Sequence, residues 1–244
     1  MKHLLYIVGL LTLVCSCDSG DVEEVYHVQT DGRTALLTAT VSQWETLPSG
    51  YNLALAAFPV SGQYASSQRV LSASDVNDGR IRVSLSAISD TTSTVELCVT
   101  NTLRKRIITL QSVDVSSFER KDTIRLNATL DNFSHFSYIQ SGIFNAACIR
   151  CHGQGNFSAR DLNLTDGHSR ALLVDVDSKS HPGTLRVASG SPEESLLHQI
   201  LADGGEDVLH TNHVEILHTL GVDTDLLREF IDRWIKSLTS TSES

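Results

Sequence analysis

The chain has 244 residues and a net charge of −10, and 41% of its residues are hydrophobic. This apolar content excludes wholesale disorder, and the negative charge argues against nucleic acid as a partner. Its apolar runs fall short of the roughly 18 residues that span a bilayer, which excludes a polytopic membrane protein. Seven of the ten histidines lie in residues 136–244, so we expect the chemistry in that half.

Residues 1–17 have the features of a lipoprotein signal peptide. Lys2 supplies a positive charge, and residues 4–14 form an apolar run that suits a signal sequence and is too short to span a bilayer. Ser16 before Cys17 resembles a bacterial lipobox, which predicts lipidation at Cys17. The alternative is a plain secretory signal with incidental cysteines.

The acidic residues 18–26 then form a tether. Lipidation predicts an exported protein that is anchored to a membrane through its lipid. The expected location is the outer membrane, with the cell surface as the more exposed alternative.

Residues 27–135 are predicted to form an all-β sandwich. Apolar residues alternate with polar ones in several short runs, most cleanly at Ile81, Val83 and Leu85. A period of two with one polar face is typical of half-buried antiparallel strands, and about six or seven strands fit a sandwich. Cys98 lies on one of these strands and is expected to be a packed thiol.

The second half contains the sequence CxxCH, formed by Cys148, Cys151 and His152. Two thiols at this spacing at the end of a helix can bond to the two vinyl groups of one haem, and the adjacent histidine can bind its iron. A disulfide or redox pair with an incidental histidine is an alternative. A zinc site with a fourth ligand is another, although zinc ribbons usually supply a second CxxC, which is absent here.

Apolar residues at helical spacing predict a helix before this motif and another at the end of the chain. Ser191 and Pro192 have the residue types of a helix start, and Asp223 or Thr224 can cap the last helix. The residues expected to be buried on these helices are Phe136, Ile139, Ile143, Ala147, Leu196, Leu197, Ile200, Leu201, Leu227, Phe230, Ile231, Trp234 and Leu238.

Residues 136–236 resemble the monohaem cytochrome c domains of planctomycete, Bacteroidetes and δ-proteobacterial type. The resemblance rests on an ordered series of segments at residues 143–148, 151–153, 162–164, 172–174, 183–187, 190–197 and 226–232. It implies that residues 136–244 form an all-α cytochrome c-like domain. It also implies one covalent haem c on Cys148 and Cys151, with His152 as the proximal iron ligand. The expected fold class is therefore a multidomain α+β protein.

The distal iron ligand of the resembling family is usually a methionine before the last helix. The only methionine of this chain is Met1, and His210 and His213 occupy the corresponding region. We therefore predict a bis-histidine iron, with His213 favoured over His210 as the distal ligand. His218 is a weaker candidate. If neither histidine binds, the iron is open, which favours ligand binding or peroxidase-like chemistry.

These features predict an exported, lipid-anchored electron carrier rather than an enzyme. Its partner would be another redox protein, and the acidic composition favours a basic patch on that partner. One alternative is a surface-binding lipoprotein that contacts a glycan or protein and has a structural cytochrome-like half. A haem enzyme with an open iron site is the other.

Overall fold

The computed structural model describes residues 32–153, 159–204 and 211–239. Two four-stranded sheets come first in this part of the chain, and short helices follow them. The predicted signal peptide, the lipidation site Cys17, the acidic tether and His210 lie outside the described residues. Within the described ranges, no helix combines the length and apolar character needed to cross a bilayer.

The first sheet buries one face and exposes the other. In β1, the odd-numbered residues from Ala35 to Val41 are buried and the intervening residues are more accessible, which is the alternation that the sequence predicts. The strand order is β4-β5-β1-β8. The strand bounds are Arg33–Ser42 for β1, Val76–Asn77 for β4, Arg80–Ile88 for β5 and Thr123–Asp131 for β8.

The second sheet is covered on both faces at its centre. Its order is β3-β2-β6-β7, with β2 at Tyr51–Pro59, β3 at Ser67–Val70, β6 at Thr92–Asn101 and β7 at Arg106–Asp114. One face contributes to the main core, and the other forms a small cluster in which Cys98 is fully buried with Phe58 and Ala65. The prediction of a packed thiol at Cys98 is confirmed.

The prediction of antiparallel strands is wrong for one pair. Strand β1 pairs in parallel with β8, so that Leu37 lies opposite Leu126, whereas β1 and β5 are antiparallel. Alternation reports which face of a strand is buried and carries no information about the direction of its neighbour. The first sheet is therefore mixed.

The prediction of an all-α C-terminal domain is wrong, and the structure is instead a mixed, sheet-rich fold followed by short helices. In the described residues after β8, one helix changes geometry twice, and three helices of five to eight residues and a last one of 14 residues follow it. Their bounds are His135–Ile139 for α1, Gln140–Cys148 for a π-helical stretch, Ile149–His152 for α2, Ser169–Leu173 for α3, Leu196–Asp203 for α4, His213–Thr219 for α5 and Thr224–Ser237 for α6. Short 3₁₀ turns lie at Ala73–Asp75, Ala159–Asp161 and Pro192–Glu194.

Part of the C-terminal chain is extended rather than helical. Isolated bridges join Val174 to Val187 and Asp177 to Leu185, so the backbone is extended at these positions. The predicted helix start at Ser191 leads only into a 3₁₀ turn, and the α-helix begins at Leu196. Short apolar runs do not distinguish buried extended segments from buried helices, which explains the wrong prediction.

Strand β7, at the edge of the second sheet, is contacted by α1, by the π-helical stretch and by α6. Gly142 lies so close to this strand that a Cβ atom on it would come within 1.9 Å of the Cγ2 atom of Ile108. Tyr51 meets Phe230 edge to face, with ring centroids 5.0 Å apart. A single apolar core therefore includes residues of both halves of the chain.

Candidate functional site

The CxxCH motif lies at the end of a helix whose middle is π-helical. The π stretch Gln140–Cys148 follows α1 and leads into α2, which contains Cys151 and His152. π-Helical geometry is rare and occurs often at functional sites. Gln140 stabilises the stretch because its side-chain amide donates to the Asn145 side chain at 2.8 Å and to the Leu164 carbonyl at 2.9 Å.

The two cysteines of the motif are not joined in a disulfide. Cys148 packs against the main core, whereas Cys151 is exposed. Burial, together with a smaller effect of the nearby Cys151, raises the pKa of the Cys148 thiol to about 12. Cys148 is therefore a neutral thiol rather than a reactive thiolate.

A backbone carbonyl holds the Nδ1 side of the His152 ring. Its Nδ1 atom lies 3.1 Å from the carbonyl oxygen of Ala159, and because a carbonyl only accepts, Nδ1 carries the proton and donates. Burial lowers the pKa of His152, and hydrogen bonds to the carbonyls of Ala159 and Leu162 oppose this without outweighing it. The lowered pKa favours the neutral imidazole, which is the form in which a histidine binds iron.

His213 is held in the same way. Its Nδ1 donates to the carbonyl oxygen of Gly204 at 3.2 Å, and its backbone N–H donates to the same oxygen at 3.0 Å. Gly204 ends α4 with φ of +85°, and a Cβ atom there would approach the Asn212 side chain to 2.4 Å. Glycine thus permits both the turn and the close approach that bring its carbonyl to His213.

Other histidines of the helical half have different partners. His198 pairs with the Asp232 carboxylate at 2.8 Å, His181 contacts the Ser180 hydroxyl, and His218 uses Nε2 to contact Thr224. His218 therefore has its metal-binding nitrogen engaged in a side-chain hydrogen bond. His152 and His213 both place Nδ1 against a backbone carbonyl.

Sequence reasoning missed the residues behind the two histidines. The turn Ala159–Asp161 supplies the carbonyl for His152, and Arg186 donates to the next carbonyl, that of Arg160, at 3.3 Å. Arg186 lies in a segment that carries the family resemblance, but no role was predicted for it. No role was predicted for Gly204, which supplies the carbonyl for His213. The available sequence signal for Gly204 was a glycine at the end of a helix, nine residues before a histidine.

A separate cleft of about 500 Å³ lies at one end of the β-sheets. It is lined by residues of the first half alone, namely Arg33, Val60, Asp90, Thr91, Thr92, Ser93, Ser116, Phe118 and Arg120. Arg33 is 4% exposed and donates to the carbonyls of Val115, Ser89 and Thr92. The cleft shares no lining residue with the CxxCH region.

The donor set fits a haem better than a bare metal ion. Within the described ranges, no group of three or more histidine, cysteine, aspartate or glutamate side chains is arranged to hold a metal. A zinc site needs about four such ligands from the protein, whereas a haem iron takes only one or two because the porphyrin supplies four nitrogens. The two anchored histidines and the two unbridged thiols are consistent with that smaller requirement.

Comparison with known proteins does not identify a family. No protein-family model, curated protein or solved structure matches this chain. The resemblance to monohaem cytochrome c domains therefore rests on the quoted segments alone.

Proposed function

We propose that this chain is an exported c-type cytochrome that carries single electrons. The observation that carries the proposal is the shared geometry of His152 and His213, each with Nδ1 donating to a backbone carbonyl. His152 directly follows Cys151 in the chain, and the thiols of Cys148 and Cys151 are unbridged. A covalently bound haem would supply an iron that cycles between the ferric and ferrous states.

The chain's own residues have three tasks in this proposal. Cys148 and Cys151 attach the group through their sulfur atoms, and their spacing places both on one side of the helix. His152 and His213 would hold its iron, with their rings oriented by the carbonyls of Ala159 and Gly204. With both axial positions filled, the protein needs no substrate pocket, so we propose an electron carrier and not an enzyme.

The choice of two histidine ligands also affects the reduction potential of the haem. Replacement of a thioether ligand by imidazole lowers the reduction potential of a haem, so we propose a lower-potential carrier than a His-Met cytochrome. The partner is another redox protein. Export and lipid anchoring at Cys17 remain part of the proposal, on the basis of residues 1–17.

The test is maturation of the full chain in a host that attaches c-type haem. We expect haem-dependent staining that survives denaturation, and a low-spin optical spectrum. Replacement of both motif cysteines, C148A/C151A, should abolish the covalent stain because no sulfur remains to form a thioether. A chain that matures without any covalent haem would contradict the proposal.

Single alanine variants test the axial assignment. We expect H213A to become high-spin, whereas H198A should stay low-spin because His198 pairs with Asp232. H210A should also stay low-spin if His213 is the distal ligand. A high-spin H210A together with a low-spin H213A would contradict the assignment to His213. A high-spin wild-type protein would favour an open iron and the haem-enzyme alternative.

The cleft at the end of the sheets favours a second candidate, a binding lipoprotein. Arg33 Nε and Thr92 Oγ1 are buried at this cleft without a hydrogen-bond partner in the protein. Phe118 adds an aromatic wall on which a sugar ring can stack. Binding of the full chain to a glycan array, lost in F118A, would support this function. Array signals that are equal for wild type and F118A would count against it.

A further inference from the structure

The turn behind His152 is in a conformation that its residues disfavour. Arg160 and Asp161 are consecutive residues with φ of 57° and 53°, in the left-handed region that favours glycine. Such a conformation persists only where the surrounding structure holds it, and it occurs often at functional sites. The first residue of this turn, Ala159, provides the carbonyl that accepts from the His152 ring.

Arg186 is the buried side chain that holds this turn. It is 7% exposed, and its guanidinium donates to the Leu172 carbonyl at 2.8 Å and to the Arg160 carbonyl at 3.3 Å. Its own backbone is fixed as well, because its N–H donates to Val176 and its carbonyl accepts from Leu197. The guanidinium is therefore fixed in position and joins the turn to the end of α3 through these two hydrogen bonds.

The charges around Arg186 point to a positioning role rather than an ordinary ion pair. Asp161 is the acidic residue of the turn, and its carboxylate pairs with Lys179 at the surface. A buried guanidinium is costly unless it is well hydrogen-bonded, and here the hydrogen bonds go to backbone carbonyls. Two adjacent carbonyls, of Ala159 and Arg160, are thus bound by His152 and Arg186.

We infer that Arg186 is the positioning residue for His152. By holding the Arg160 carbonyl it fixes the turn, and the turn fixes the Ala159 carbonyl that orients the His152 ring. The inference rests on the proposed function for its purpose, which is to give the axial ring one orientation toward the iron. Arginine suits this task better than lysine because its planar fork donates to two fixed acceptors at once.

The test compares two arginines of the same region. R186M removes the buried fork, and R170M is the matched control because Arg170 is exposed on α3. In a low-spin ferric haem with two imidazole ligands, the electron paramagnetic resonance signal reports the mutual orientation of the rings. We expect one low-spin signal in wild type and R170M, and two or more in R186M, where the His152 ring has lost its fixed acceptor.

A conservative variant covers the case in which R186M fails to fold. R186K keeps a buried cation that can reach one carbonyl at a time, so its major signal should match wild type and a minor second signal should appear. A single signal in R186M or R186K that is identical to that of R170M would overturn the inference. Several signals in the wild-type protein would overturn it too.

A haem-free measurement separates this inference from the proposed function. In the unmatured full chain, nuclear magnetic resonance of labelled imidazoles should show one sharp His152 ring signal in R170M. The same signal should be broadened or split in R186M, while that of His198 stays unchanged. If the wild-type chain acquires no haem but R170M and R186M differ in this way, the positioning role of Arg186 is supported and the cytochrome proposal fails. If it acquires haem and the two variants agree in both spectra, only the inference fails.

Discussion

Replacement of Gly142 by alanine tests whether the motif helix is tightly docked on the sheets. The new Cβ atom would lie 1.9 Å from Ile108 Cγ2 and 3.2 Å from the Thr109 carbonyl oxygen. Carbon atoms in contact are about 3.5–4.0 Å apart, so the helix or β7 must move by more than 1 Å. Both elements are packed into the shared core, which leaves little room for that movement.

The expected magnitude follows from two opposing effects. Overpacking of a well-packed core costs about 1–3 kcal/mol, whereas alanine gains up to about 1 kcal/mol over glycine in a helix. We therefore expect G142A to lower the free energy of unfolding by about 1–2 kcal/mol. For a chain of this size that corresponds to a melting temperature about 2–8 °C lower.

Thermal and urea unfolding, followed by circular dichroism, measure this effect. S141A is the matched control, because Ser141 is the preceding residue of the same helix and is only partly buried. I108L removes Cγ2 while it keeps the side-chain volume, so the double variant G142A/I108L should lose less stability than the two single changes added together. A G142A protein as stable as S141A would refute the close packing of helix and strand.

The remaining predictions concern the contacts between the two halves and one buried histidine. Burial favours a raised pKa for Asp223, but hydrogen bonds and the charge of Lys105 outweigh it and hold this pKa below its ordinary value. D223N keeps a helix cap, and its free energy of unfolding should be lower than that of wild type by up to about 1 kcal/mol at pH 7. This difference should vanish as the pH falls below 3.8, because the Asp223 carboxylate is then protonated. An acid titration in which the difference persists would contradict the prediction. Burial lowers the pKa of His135 to about 4 from 6.5, so the unfolded chain takes up the proton first and wild-type stability should fall as the pH drops from 6.5 to 4. H135F should show a flatter unfolding curve over that range, and equal slopes would refute this. Y138F should lose about 1–2 kcal/mol in urea unfolding, because the Trp44 indole N–H donates to the Tyr138 hydroxyl at 2.7 Å and would lose that acceptor; unchanged stability would show that water replaces the hydroxyl.

Local chemistry made several features predictable from the sequence. Alternation located the strands because a strand with one buried face must alternate, as β1 and β5 do. The Asp223 cap of α6 was predictable because an acidic side chain can accept from the first free backbone N–H groups, and it accepts from Leu226. The CxxCH motif was visible because attachment chemistry requires a fixed spacing.

Only the tertiary structure decided how these elements combine. The direction of β8 beside β1 and the extended bridges at residues 174–187 depend on distant partners, which periodicity does not encode. The carbonyl of Ala159 is a backbone atom that any residue could supply, and glycine at 204 indicates a helix end without indicating which donor its carbonyl meets. The position of Arg186 depends on residues 14 and 26 positions earlier in the chain, to whose carbonyls it donates. Residue types thus determined the donors and the buried faces, while packing of remote segments determined which acceptors those donors meet.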